Sequence, residues 1–123
     1  MHQWMLPILM LTAMVHSPIE PSLSILQEKA RRAVKQLDDC LINSAERLRS
    51  SQTDWPQKYN SYRQSCSGER SKAFGLTLRY EWKRSTPRNA DERFKAYRRA
   101  TFRVDSRVDI WAARFLDPHP PLE

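Results

Sequence analysis

Glycine is almost missing from this sequence: Gly68 and Gly75 are the only two in 123 residues. A glycine-rich loop that cradles phosphate through its backbone is therefore excluded. Histidine is nearly as scarce, with His2, His16 and His119. A Ser-His-Asp or Cys-His arrangement would have to use one of these. If the first two leave with an N-terminal signal, only His119 in a proline-rich tail remains. Two cysteines, Cys40 and Cys66, fall short of the four ligands of a structural zinc site. Asp105 and Asp109 would share a helix face as paired carboxylates, but Arg103 and Arg107 flank them and make them read as solvated ion pairs. The expectation is a protein without catalysis, metal or cofactor.

What is present is cationic charge, concentrated in one zone. The chain carries +7 overall, yet residues 70–104 hold eleven Lys or Arg against Glu81, Asp91 and Glu92, a local excess of +8. Such an excess raises the potential toward anionic partners, although a solvated surface that keeps the protein soluble has the same composition. Arg79, Lys83, Arg84, Arg98, Arg99 and Arg103 are the candidate anion-binding residues. Phe74, Tyr80, Trp82, Phe94, Tyr97 and Phe102 are interleaved with them. Rings beside cations can stack on bases, sugars or acyl chains. In a domain with few Ile and Val, the hydrophobic core is their expected place, Trp82 included.

The other apolar concentration lies at the N-terminus. Trp4 to Val15 is an uncharged run of twelve residues. That suits the core of a secretory signal and is short for a membrane span. Residues 1–17 are read as a signal peptide with cleavage after Ser17, although no Lys or Arg precedes the run and Pro18 follows the cut. A buried N-terminal helix of a cytoplasmic protein is the alternative, against which Pro7, Pro18 and Pro21 speak. An exported protein of the periplasm or exterior, without a retained span, is the expectation. About a hundred residues then remain, enough for one modest core, with a single domain over 18–117 and a proline-rich tail over 118–123.

Hydrophobic spacing predicts a mainly α fold. Ser24 and Gln27 resemble a capping box. Leu26, Ala30, Ala33, Leu37, Cys40, Ser44 and Leu48 then recur in steps of three and four, predicting a helix from about 24 to 50. After a polar turn, Asp54 can cap a second helix with Pro56 in its first turn and Trp55, Tyr59, Tyr62 and Cys66 on one stripe. Ser67-Gly68 is expected to end it. Between residues 74 and 83, apolar and polar residues alternate strictly, the signature of a strand. A strand there would need Phe102 to Ile110 as its partner. That stretch also fits a long C-terminal helix over 91–115, with Phe94, Tyr97, Thr101, Val104, Val108, Trp111 and Phe115 on its stripe, and length favours the helix. A short β element at 74–83 remains open beside a helix over 70–84.

The two cysteines fit an antiparallel hairpin. From Cys40 the first helix runs ten residues to Ser50, and from Trp55 the second returns eleven to Cys66. Equal paths place the two at one level, on stripes that face each other. In an oxidising compartment such a pair joins. Tyr59-x-x-Tyr62-Arg63-x-x-Cys66, preceded by a helix containing Cys40, resembles the signature of LprI-type exported domains, small helical disulfide-containing proteins of which some are associated with lysozyme inhibition. The resemblance covers residues 37–67 and implies a helical, disulfide-held envelope protein. Two functions are expected from these readings. One is a basic binding protein holding an anionic envelope polymer, a lipid head group or an acidic partner, with nucleic acid a poor fit to the compartment. The other is an inhibitor or interaction module that docks through the hairpin face around Trp55, Tyr59 and Tyr62.

Overall fold

A computed structural model describes residues 21–117. The expected signal peptide, its cleavage site and the proline-rich tail lie outside the described residues. Four helices follow one another: α1, Leu23–Arg49; α2, Trp55–Ser65; α3, Ser67–Ser85; and α4, Ala90–Trp111, which runs on into a π-helical turn, Ala112–Leu116. Helix α1 is the spine. It packs chiefly against α3 and also meets α2, α4 and the terminal turn, while α3 and α4 pack on each other.

The predicted mainly α fold and the disulfide-linked hairpin are what the structure shows. Leu26, Ala30, Ala33, Leu37 and Ser44 of the predicted stripe are buried, joined by Val34, Leu41 and Ala45. The cap of α1 lies two residues earlier than expected: Ser22 Oγ accepts a hydrogen bond from the Ile25 amide at 3.3 Å, and Ser24 falls inside the first turn. At the other end, the buried Lys58 ammonium donates to the Arg49 carbonyl at 2.9 Å and satisfies one of the carbonyls a helix end leaves open. Asp54 caps α2 as predicted, its Oδ1 accepting from the Gln57 amide at 3.2 Å. Cys40 and Cys66 are bonded, with Cα atoms 6.0 Å apart, inside the range a disulfide bridges without backbone distortion. Ser67-Gly68 does not terminate the chain's helical course. The corner is Cys66 itself, and α3 begins at the next residue.

The possible β element at 74–83 is overturned: the whole stretch is inside α3, and no strand occurs among the described residues. Ala73, Thr77 and Glu81, four apart, are the buried row of this helix. Helix α3 packs against both α1 and α4. Phe74, Leu76, Leu78 and Tyr80 lie half-buried on its flanks. A helix packed against two neighbours carries apolar residues at azimuths that a period of two also visits, which is why the alternation imitates a strand.

The long C-terminal helix is present, but with a different seam. Its buried row is Ala96, Ala100, Val104 and Val108, continued by Ala112 and Leu116 in the terminal turn. Of the predicted stripe only Val104 and Val108 belong to it. Small side chains every fourth residue let neighbouring helices approach, and the bulkier rings lie at the edges of the seam. The like charges four apart on α4, an apparent cost, mostly find partners elsewhere. Arg99 meets Glu81, Arg107 meets Asp38, Asp105 meets Arg70 and Asp109 accepts from Tyr59. No described helix is long and apolar enough to cross a membrane.

Candidate anion-binding grooves

The six nominated cations do not form one surface. Arg84 and Arg99 converge on the buried Glu81, at 2.7 Å and 2.8 Å to the same carboxylate oxygen. Burial pushes the Glu81 carboxyl up, the hydrogen bonds from Arg84 and Arg99 outweigh it, and its pKa falls below the ordinary carboxylate value. Arg99 thereby fastens α4 to α3, while Arg84 pairs with Glu81 within α3. Arg98 sits above the Phe94 ring at 5.9 Å, on an exposed part of α4. At 100° per residue it lies about 140° around the helix from Arg103. Arg79 and Lys83 share a face of α3, one turn apart.

Two grooves collect the remaining charge. The first, of about 590 Å³, lies between α1 and α4 and is lined by Arg31, Lys35, Arg103 and Arg107 together with Asp38. Its lining carboxylate is fully engaged. Arg107 donates to Asp38 through Nε at 2.8 Å and through its terminal nitrogen at 2.6 Å, and Trp111 Nε1 donates to the same group at 2.7 Å. That fork holds the Arg107 pKa above its usual value. Arg31 and Lys35 are held only by exposed intrahelical pairs, with Glu28 and Asp39. Hydrogen bonds from Arg31 and then Arg32 bring the Glu28 carboxyl down to about 2. Arg103 has no acidic partner among the described residues. Beside it Phe102 is 76% exposed.

The second groove, of about 650 Å³, lies between the start of α1 and the end of α3, lined by Pro21, Leu26, Arg79, Trp82, Lys83, Thr86 and Pro87. Trp82, expected in the core, is 42% exposed here. The same correction holds for Phe94, Tyr97 and Phe102, all exposed; the core is mostly alanine, leucine and valine around the buried Tyr62, with Phe74 packed against it. A further hollow between α3 and α4 brings Phe74 and Tyr97 beside Arg63 and Arg70, the last paired with Asp105 at 2.6 Å.

The hairpin-face residues separate in depth. Tyr62 is wholly buried, its hydroxyl donating to the Val108 carbonyl at 2.6 Å, and burial raises its pKa far above that of a free phenol. Tyr59 is half-buried and donates to Asp109 at 2.9 Å; burial, then Asp109, raises its pKa. Trp55 stacks on Tyr59 with ring centroids 5.9 Å apart and is the exposed member of the three. Near the disulfide, Cys40, Cys66 and Glu69 bring potential ligand atoms within 4.8 Å of one another, but both sulfurs are taken up by the bond.

Sequence reasoning missed Arg31, Lys35 and Arg107, because it weighed charge by stretch of chain. Arg31, Lys35 and Asp38, at steps of four and three, are one face of α1, and that spacing was the available signal. Comparison with known proteins adds no relative: no family model, no curated protein and no solved structure matches the chain.

Proposed function

We propose that the chain is an exported, non-catalytic binding protein that holds an anionic polymer of the cell envelope along the α1/α4 groove. One observation carries this reading: four cations line that groove and its single lining carboxylate, Asp38, is already occupied by Arg107 and Trp111. A polyanion laid there meets Arg103 without having to displace an acid, and the exposed pairs of Arg31 and Lys35 are weak, solvent-screened contacts that yield readily. Export is supported by the Cys40–Cys66 bond, since such bonds persist in oxidising compartments.

Binding to inorganic polyphosphate, followed across a salt series, tests the reading. Affinity should fall steeply as salt rises, and Arg103→Gln should make the slope shallower by about one unit of log K per log salt. An Arg103→Gln protein with unchanged affinity and slope would reject it. The second reading is an inhibitor or interaction module akin to LprI-type domains. The open Trp55 ring, stacked on Tyr59, favours it. Under that reading a Trp55→Ala change removes partner binding, and the salt dependence is slight.

A further inference from the structure

We propose that the groove between the start of α1 and the end of α3 is a binding site for a single-chain fatty acid, separate from the polyanion groove. Its volume, about 650 Å³, is within the usual range of small-ligand sites, roughly 300–1,000 Å³. Leu26, Trp82, Pro21 and Pro87 supply apolar walls. Trp82 sits in the last turns of α3, with its ring half open into this concavity. An acyl chain gains by covering such a ring and has no need of hydrogen bonds along its length. The walls present no array of directional polar groups that would select a sugar or a peptide.

The head group is set by Arg79. It is exposed, has no acidic partner among the described residues and lines the groove one turn before Lys83. This separates it from Arg84 and Arg99, which are both engaged by the Glu81 carboxylate. A planar guanidinium matches a carboxylate bidentately, so an anionic head at Arg79 fixes the chain's direction into the groove. Lys83 adds charge at the same wall, and its ammonium donates to the Pro21 carbonyl at 2.7 Å, joining α3 to the entry of α1.

The rim is held in an uncommon backbone state. Thr86 has φ 41° and ψ 66°, the left-handed region, and is the only non-glycine residue with positive φ among the described residues. A β-branched residue there is an outlier that persists only where its surroundings fix it. Its amide still donates to the Trp82 carbonyl at 2.9 Å. The consequence is that the chain turns out of α3 with Pro87 lining the same cavity as Trp82.

Calorimetric titration of the full chain with dodecanoate, kept below its critical micelle concentration, tests the site. The expected result is saturable one-to-one binding, weakened at least tenfold in Arg79→Gln and lost in Trp82→Ala, with Trp82→Phe retaining most of it. Circular dichroism confirms that each variant is folded, and Trp82→Phe keeps the test valid if the alanine variant is not. Arg103→Gln should bind dodecanoate as the parent does, and saturating polyphosphate should not displace it. These two results separate failure of this site from failure of the polyanion reading. Equal affinity for dodecanol, unchanged affinity in Arg79→Gln, displacement by polyphosphate or no saturable binding would each overturn the proposal.

Discussion

The α1/α4 groove and the groove at the start of α1 are similar in volume and both basic, yet their charge is arranged differently. In the first, cations stand on both walls and the engaged Asp38 lies between them. In the second, both cations stand on one wall, that of α3, and the rest of the lining is largely apolar. Charge on two walls suits a chain of repeated charges, whereas charge at one side of an apolar hollow suits one head and one tail. The +8 of residues 70–104 is therefore not a single field. It is divided between fastening α3 to α4 through Glu81, walling two separate grooves and coating the exposed side of α4.

The largest expected effect is on both grooves together. Cys66→Ser opens a loop of sequence separation 26 and should cost about 3.5 kcal/mol in the chain-entropy model. For a domain of this size the melting temperature should fall by roughly 15–25 °C. Both grooves use α1 N-terminal to Cys40, so well below the melting point neither polyphosphate nor dodecanoate should bind selectively worse. A thermal melt and the two titrations decide it, and loss of one ligand alone would mean that the disulfide positions that groove.

Asp38→Asn comes next and acts on one groove. It keeps an acceptor for Trp111 Nε1 but weakens the fork to Arg107, at an expected cost of about 2 kcal/mol for a charged hydrogen-bonded pair that is only partly buried. It also removes the negative charge from the α1/α4 groove. Polyphosphate should therefore bind more tightly to a less stable protein, while dodecanoate binding stays as it was. Denaturant titration measures the first effect and the two affinities the second. Unaltered polyphosphate affinity would mean that Arg107 does not face the polymer.

The helices and the disulfide were legible because they rest on local signals. The stripe from Leu26 to Ser44, the Asp54 cap and the equal paths between Cys40 and Cys66 each depend on nearby spacing. The grooves were not legible, since they join residues about seventy positions apart, such as Lys35 with Phe102 and Asp38 with Arg107. The seam of α4 was misjudged for a related reason. Hydropathy selects Phe94 and Tyr97, whereas close helix packing selects Ala96 and Ala100. Alternation at 74–83 pointed to a strand because one helix is flanked by two neighbours, and nothing within ten residues reveals how many neighbours a segment will have.

Glu81 tests the division of charge more gently. Its carboxyl titrates below the ordinary value because Arg84 and Arg99 favour the charged form. The stability it contributes is thus fully present above the unfolded-state value of 4.5 and is lost as pH falls through the lower folded-state value. Glu81→Gln should destabilise the protein by about 1–2 kcal/mol at neutral pH. That gap between variant and parent should narrow as the solution is acidified below 4.5. Denaturant titrations at neutral and acid pH measure it, and a gap that widens on acidification would show that the two arginines do not depend on Glu81.

The smallest effect is the sharpest for function. Arg98→Gln and Arg103→Gln remove the same charge from the same helix, five residues apart. Each should change stability by no more than about 0.5 kcal/mol, since neither side chain has an acidic partner among the described residues. A protein that attracts polyanions through net charge alone would lose affinity equally in both. A protein that binds through the α1/α4 groove loses it in Arg103→Gln, because Arg103 lines that groove and Arg98 lies about 140° around α4 over Phe94. With polyphosphate at low salt, the Arg103 variant should bind severalfold more weakly and the Arg98 variant close to the parent. Equal losses would reduce the groove to diffuse surface charge, and the open Trp55 ring would then be the better place to look for a partner.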